Sequence, residues 1–175
     1  MTAAERRAKL NLMPPPGRPV RDSMAEYTEL TLPNDANSLG TLFGGKLMQY
    51  VDVAASLAAA RHARCPVVTA SVDYMTFLQP IRIGQLVVLK SAVNRVFRTS
   101  MEVGVKVFVE DLLTGEVRHV SSAYLTFVGL DQHRKRVVLP PVIPESEEEK
   151  RRFDQAAHRR EQRLAMRARF GARGG

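Results

Sequence analysis

Residues 34–63 read NDANSLGTLFGGKLMQYVDVAASLAAARHA, a polar turn punctuated by Gly40 and Gly44-Gly45 that runs without a break into an apolar, alanine-rich segment. From Gly44 to about Ala63 there is no proline and little charge. This composition predicts a helix that is apolar on most of its faces and is therefore buried. Asp52 is the only acidic residue within it. Aspartate is a poor interior helix former, and its ionised form is costly to bury unless something pairs with it. Spacings of three and four place Gly45, Met48 or Gln49, Asp52, Ser56 and Ala59 on one face, with side chains tilted toward the helix N-terminus. Asp52 therefore looks toward Gly44-Gly45.

Two successive glycines at a helix start leave backbone N–H groups that no side chain shields, at the positive end of the helix dipole. Such a position binds an oxyanion or a polarised carbonyl oxygen. A carboxylate on the same face, about two turns along, points to hydrolysis or proton abstraction at that carbonyl. The structural alternative is that Gly-Gly lets the helix pack closely on a sheet while Asp52 pairs with a core arginine or caps a neighbouring element.

The rest of the chain is organised around this helix. Met24 to Leu32 predicts a first strand, stopped by Pro33. After Pro66, residues 67–78, 86–97, 101–110 and 118–129 are rich in β-branched and aromatic residues and are joined by short turns. Valine occupies positions 103, 105, 107 and 109, which gives one wholly apolar strand face. One early helix followed by four long strands predicts an α+β fold, a curved antiparallel sheet covering its apolar face with that helix. The edges of such a sheet invite pairing with a second copy, so a homodimer is the expected minimum.

A chain of 175 residues accommodates one domain with tails rather than two domains. We divide it into an arm over residues 1–22, containing Pro14-Pro15-Pro16-Gly17, a folded domain over 23–140, and a charged, arginine-rich tail over 141–175 whose weak apolar stripe fits either a partly docked helix or a solvated segment. No apolar run reaches membrane-spanning length, and the N-terminal residues lack the apolar core of a secretory signal, so a cytoplasmic location is the expectation. Cys65 is the only cysteine, which leaves no intrachain disulfide or cysteine-based metal cluster. The four histidines, His62, His119, His133 and His158, have no metal-pair spacing, so no metal is expected. The net charge of +8 favours polyanionic partners. Residues 145–175 carry nine Lys or Arg against six Asp or Glu, and residues 1–144 carry seventeen against twelve, so the tail alone does not set the sign.

Taken together, Asn37-x-x-Gly40-x-x-x-Gly44-Gly45-x-x-Met48-x-x-x-Asp52, then Val68-Thr69-x-x-Val72-x-x-Met75-x-Phe77-x-x-Pro80-Ile81-x-x-Gly84, then Arg98-Thr99-Ser100, resemble the acyl-CoA thioesterases of the hotdog fold. The likeness is to the branch that includes the bacterial YciA-type enzymes and mammalian brain acyl-CoA hydrolase, and it covers roughly residues 24–140. It implies edge-to-edge dimers, assembled further into a trimer of dimers (a homohexamer), with the site between subunits. It also implies that Asp52 is the general base or nucleophile toward the thioester, that Asn37 orients the carbonyl or the water for a neighbouring subunit's Asp52, and that the Gly45 N–H is the oxyanion donor. Thr69 falls where the family has a hydroxyl near the site. Arg98, Thr99 and Ser100 fall where related enzymes contact the nucleotide end of coenzyme A. Coenzyme A would be part of the substrate and product in fatty acid metabolism, and no separate cofactor is implied.

One carboxylate with fixed N–H donors suffices chemically to hydrolyse a thioester without a metal or a Ser-His-Asp arrangement. Two other readings compete. A hotdog hydratase generally needs a histidine beside the carboxylate, and the motif has none. A non-catalytic acyl-CoA sensor would act through its basic tail on nucleic acid or another protein, but no helix-turn-helix signature precedes the domain, which argues against a nucleic-acid partner.

Overall fold

Helix α1 (Gly44–Ala63) spans the predicted stretch and ends where Arg64 turns into the left-handed region (φ 55°), its amide donating to the Ala60 carbonyl at 2.9 Å. The computed structural model describes residues 15–171. Within them, the elements in chain order are β1 (Arg18–Pro19), β2 (Ala25–Leu30), α1, β3 (Val67–Phe77), β4 (Leu86–Phe97), β5 (Ser100–Glu110), β6 (Val117–Gly129), β7 (Val142–Ile143) and α2 (Glu147–Gly171), with short 3₁₀ turns at Val20–Ser23 and Pro33–Asp35. Strands β2 to β6 form one antiparallel sheet in the order β2-β4-β5-β6-β3. The α+β sheet-around-a-helix architecture is the one expected.

The core lies between α1 and the inner face of this sheet. Ala54, Ala55, Ala58 and Ala59 are fully buried, and so are Leu89, Val93, Val103, Val107 and Leu125 opposite them. Alanine adds little bulk beyond the helix backbone, so the helix can lie close to the strands. One polar tie reinforces the contact: Ser91 Oγ of β4 donates to the Ala54 carbonyl at 2.6 Å.

Two stretches outside the domain drawn from sequence turn out to be packed against it. Of the arm expected over residues 1–22, positions 1–14 lie outside the described residues, but Arg18–Pro19 pairs in parallel with Val142–Ile143. The Arg18 guanidinium donates to the His62 carbonyl at 2.5 Å, Val20 is buried, and Ser23 Oγ accepts the Val93 amide at 3.0 Å. These partners lie about 40 to 125 residues away in sequence, beyond any local pattern.

The tail forms a 25-residue helix. Its start is built from Ser146 and Glu149: the Glu149 amide donates to Ser146 Oγ (3.2 Å), and Glu149 Oε2 accepts the Ser146 amide (3.0 Å), a reciprocal cap that the sequence S-E-E-E encodes. The helix lies on the outer face of the sheet, opposite α1. There Ala156 is fully buried, and the Arg95 guanidinium sits 4.0 Å from the Phe153 ring centroid. Arg159 forks onto the Glu102 carboxylate at 2.7 and 3.1 Å and lies 3.7 Å from the Tyr124 ring centroid. Glu102 is 1% exposed, so the pair is desolvated, and loss of the cation would leave a buried charge alone. Of the two readings of the tail, the docked helix is the one observed.

At the C-terminal end of α1, His62 is fully buried, with Nε2 2.8 Å from the Pro140 carbonyl. Burial pushes its imidazole below the ordinary value. Below about pH 6.5 the unfolded chain binds a proton that the folded chain resists, so stability should fall as pH drops through that range, by at most about 1.4 kcal/mol per pH unit. Urea midpoints at pH 7.5 and 5.5 check this. The decline should be shallower in His62→Gln, and equal declines would remove His62 as the cause.

Candidate active site

The N-terminus of α1 is open. Phe43 precedes it without a side-chain cap, and the first amides to bond the Phe43 carbonyl are those of Lys46 (2.9 Å) and Leu47 (3.1 Å). The amides of Gly44 and Gly45 therefore stand at the end of the helix, ahead of its hydrogen-bonded turns. Close packing does not explain the two glycines. A Cβ at Gly44 would meet only the Phe77 ring at 3.9 Å, and one at Gly45 only the Phe43 ring at 3.7 Å, ordinary van der Waals contacts.

Two turns along, Asp52 is half-buried, and its Oδ1 accepts the Thr69 hydroxyl of β3 at 2.7 Å. Among the described residues no Lys, Arg or His forms an ion pair with it, so it is not the structural partner of a core arginine. Gly45, Met48, Asp52, Thr69, Val72 and Met75 line one cavity of about 390 Å³. It joins Gly45, at the start of α1, to a carboxylate along its wall, with apolar side chains between. A carbonyl could be polarised there and attacked with help from the carboxylate.

Other residues singled out from sequence lie apart from this cavity within one chain. Asn37 is engaged in its own turn: Nδ2 donates to Thr41 Oγ1 (3.0 Å), and Oδ1 accepts the amides of Leu39 (2.9 Å) and Thr41 (3.2 Å). Arg98, Thr99 and Ser100 make the tight β4–β5 turn, with Arg98 at φ 49°. Ser100 pairs with Val128, which pairs with Val68, so this turn sits two strands from Thr69 at the same end of the sheet. None of the three lines the Asp52 cavity.

Sequence reasoning missed Val72, Met75 and Leu125 as cavity walls, and Asp35, whose carboxylate lies 3.3 Å from Lys46 Nζ beside Gly45. Val72 and Met75 belong to the motif, but that they share a wall with Thr69 has no local signal, because strand bulges align them. Among the described residues, no group of three or more His, Cys, Asp or Glu is placed to hold a metal, and no helix is long and apolar enough to cross a membrane.

A sequence model of the thioesterase superfamily matches residues 39–116. A Bacillus subtilis (strain 168) protein, named as the uncharacterized acyl-CoA thioester hydrolase YkhA, is 48% identical over 135 residues, which cover 77% of this chain and 78% of that protein. Some relatives are much longer: the chain spans 23% of mouse acyl-coenzyme A thioesterase 11. Among solved structures, an apo-hexameric acyl-CoA thioesterase superposes with a TM-score of 0.85 at 42% identity, over 88% of this chain and 99% of that one. An acyl-CoA hydrolase from Staphylococcus aureus, solved with butyryl coenzyme A, coenzyme A and coenzyme A disulfide, superposes at 0.84 with 35% identity, over 90% of this chain and 96% of that one. That enzyme has also been solved with an asparagine, an aspartate and a threonine each changed to alanine. The three lie 15 and 17 residues apart in turn, the same intervals that separate Asn37, Asp52 and Thr69.

Since the fold does not need a glycine at position 45 and the position is helical, Gly45→Ala should fold normally and gain up to about 1 kcal/mol from helix propensity. Chemical denaturation tests this. A loss of stability instead would mean that Gly45 is a packing glycine after all.

Proposed function

Because the chain belongs to the thioesterase superfamily, among relatives named as acyl-CoA thioester hydrolases, we propose that it hydrolyses acyl-CoA to the free acid and coenzyme A, with Asp52 as the essential carboxylate. The single observation that carries this reading is the cavity in which Asp52, held by Thr69, faces the open N-terminus of α1. The thioester carbonyl oxygen sits at the Gly45 amide, where the helix dipole favours the negative charge that develops on it. Thr69 occupies Asp52 Oδ1 and leaves Oδ2 to act. Asp52 either takes a proton from attacking water or adds to the carbonyl itself. In both routes the C–S bond breaks and the thiolate of coenzyme A leaves, to be protonated; in the second, water then cleaves the acyl–Asp52 anhydride, releasing the free acid and restoring the carboxylate.

Asn37 takes part in the reaction, a reading supported by the matching 15-residue interval in the Staphylococcus aureus enzyme, and acts across a subunit boundary, since it does not line the cavity of its own chain's Asp52. The boundary is the β3 edge. That strand has β6 as its one neighbour in the sheet, and Val72 (46% exposed), Tyr74 and Phe77 (each 55% exposed), together with Met48 of α1, form an apolar edge suited to a second copy. The hexameric relative favours a trimer of such dimers. Arg98, Thr99 and Ser100 contact the nucleotide end of coenzyme A. No separate cofactor takes part, and the protein acts in the cytoplasm. The sensor reading finds no favouring observation, since Arg159 and Arg163 of the basic tail are turned onto the sheet.

In a panel from acetyl- to palmitoyl-CoA followed by thiol release, Asp52→Asn should lower kcat/KM by at least about 10²-fold, and Thr69→Ala by less. Full activity in Asp52→Asn would refute the proposed chemistry. Light scattering should give a mass that is a multiple of two chains, six being the expected number. A monomer of full activity would exclude the shared site.

A further inference from the structure

Strand β3 reaches the site only because it is bulged twice. Its pairing with β6 slips between Thr69 and Ser71 and again between Val72 and Tyr74, so that Ala70 and Asp73 are extra residues. In a regular strand, residues three apart point to opposite faces. Here Thr69, Val72 and Met75 pair with Phe127, Leu125 and Ala123, which face the core, and all three line the Asp52 cavity. A slip at either bulge would turn part of that wall away.

The second bulge is held from the other side of the sheet. The Asp73 side chain is 6% exposed. Its Oδ1 accepts Ser71 Oγ at 2.6 Å, and its Oδ2 accepts Thr126 Oγ1 of β6 at 2.9 Å and the guanidinium of Arg163. Arg163, on α2, also donates to Thr126 Oγ1 at 2.5 Å. A carboxylate this buried needs its cation, so the bulge depends on Arg163 being docked.

We propose that Arg163 is a positioning residue: through Asp73 it locks the bulge that keeps Thr69 and Val72 turned toward α1, so that the C-terminal helix sets the geometry of Asp52 from the opposite face of the sheet. The inference rests on the hydrolase reading of Asp52. Arg159, four residues earlier on the same helix, pairs with Glu102 on β5 and, among the described residues, makes no hydrogen bond or ion pair to β3, which makes it the matched control.

The test uses the full chain with Arg163→Gln, Arg163→Lys, Arg159→Gln, Thr69→Ala and the Arg163→Gln/Thr69→Ala double variant. The readouts are kcat and KM on acyl-CoA substrates, thermal stability, and amide hydrogen exchange of residues 69–75. Arg163→Gln should lower kcat about tenfold with KM within about twofold, the signature of misplaced catalytic groups rather than lost binding. Arg163→Lys should recover most of that loss. Arg159→Gln should lower stability and keep kcat. In the Thr69→Ala background, Arg163→Gln should add little further loss, because both act on one contact. Unchanged kcat in Arg163→Gln, or a loss that adds in full to that of Thr69→Ala, overturns the proposal. If the wild-type chain hydrolyses none of the panel, the hydrolase reading fails separately, and hydrogen exchange decides. Faster exchange at residues 69–75 in Arg163→Gln but not in Arg159→Gln supports the lock, and equal exchange overturns it.

Discussion

The structure depends on one packing contact, the alanine face of α1 against the inner face of the sheet. Ala54, Ala55, Ala58 and Ala59 have no side-chain reach of their own, so the strands must come to the helix backbone. This closeness brings the edge strand β3 within hydrogen-bonding distance of Asp52, a residue one turn from the alanine face. A helix with leucines at these positions would stand farther from the sheet and part Thr69 from Asp52. Gly44 and Gly45 precede Leu47, the first buried residue of α1, and Gly45 is exposed.

The outer face of the sheet is organised by charge. Glu102 and Asp73 are both buried there and both answered by arginines of α2, with Tyr124 beneath one guanidinium. Exposed ion pairs such as Lys90–Glu26, whose side chains are both more than half exposed, contribute little by comparison. Buried pairs specify which contact forms rather than adding much net stability. On this face they give an otherwise very polar helix a single register on the sheet, with Ala156 and Phe153 as its apolar points of contact. Arg159 and Arg163, two of the arginines that make the tail basic by composition, are consequently spent within the molecule.

The chain in isolation presents an unfinished edge. Strand β3 offers an unpaired backbone row flanked by exposed valine, tyrosine and phenylalanine side chains, next to a cavity that already holds a carboxylate and Gly45 of the helix start. Asn37, in its closed turn, lies elsewhere on the same chain. An edge of this composition and a divided set of polar groups have a common resolution in the proposed pairing, where one chain's cavity is completed by the other's turn.

Much of this was legible from residues alone. The helix follows from composition, the long strands from β-branched alternation, and Asp52 from being an acid in an apolar helix facing two glycines. Valines at alternate positions of β5 all face the core, as their period required. What tertiary structure decided is of a different kind. An extra residue in a strand has no local signature, because a bulge exists only relative to the register of the neighbouring strand. The bonding of Thr69 to Asp52, the alignment of Val72 and Met75 with it, and the role of Asp73 could therefore not be read from β3 itself. From sequence, residues 18–22 fall in the arm, and the tail stays open between a docked helix and a solvated segment, because their partners, Val142, His62, Glu102 and Asp73, are distant in sequence. Local periodicity encodes which elements form and which face is apolar. Which polar groups meet across the sheet is settled only when the strands are in register and both helices are docked.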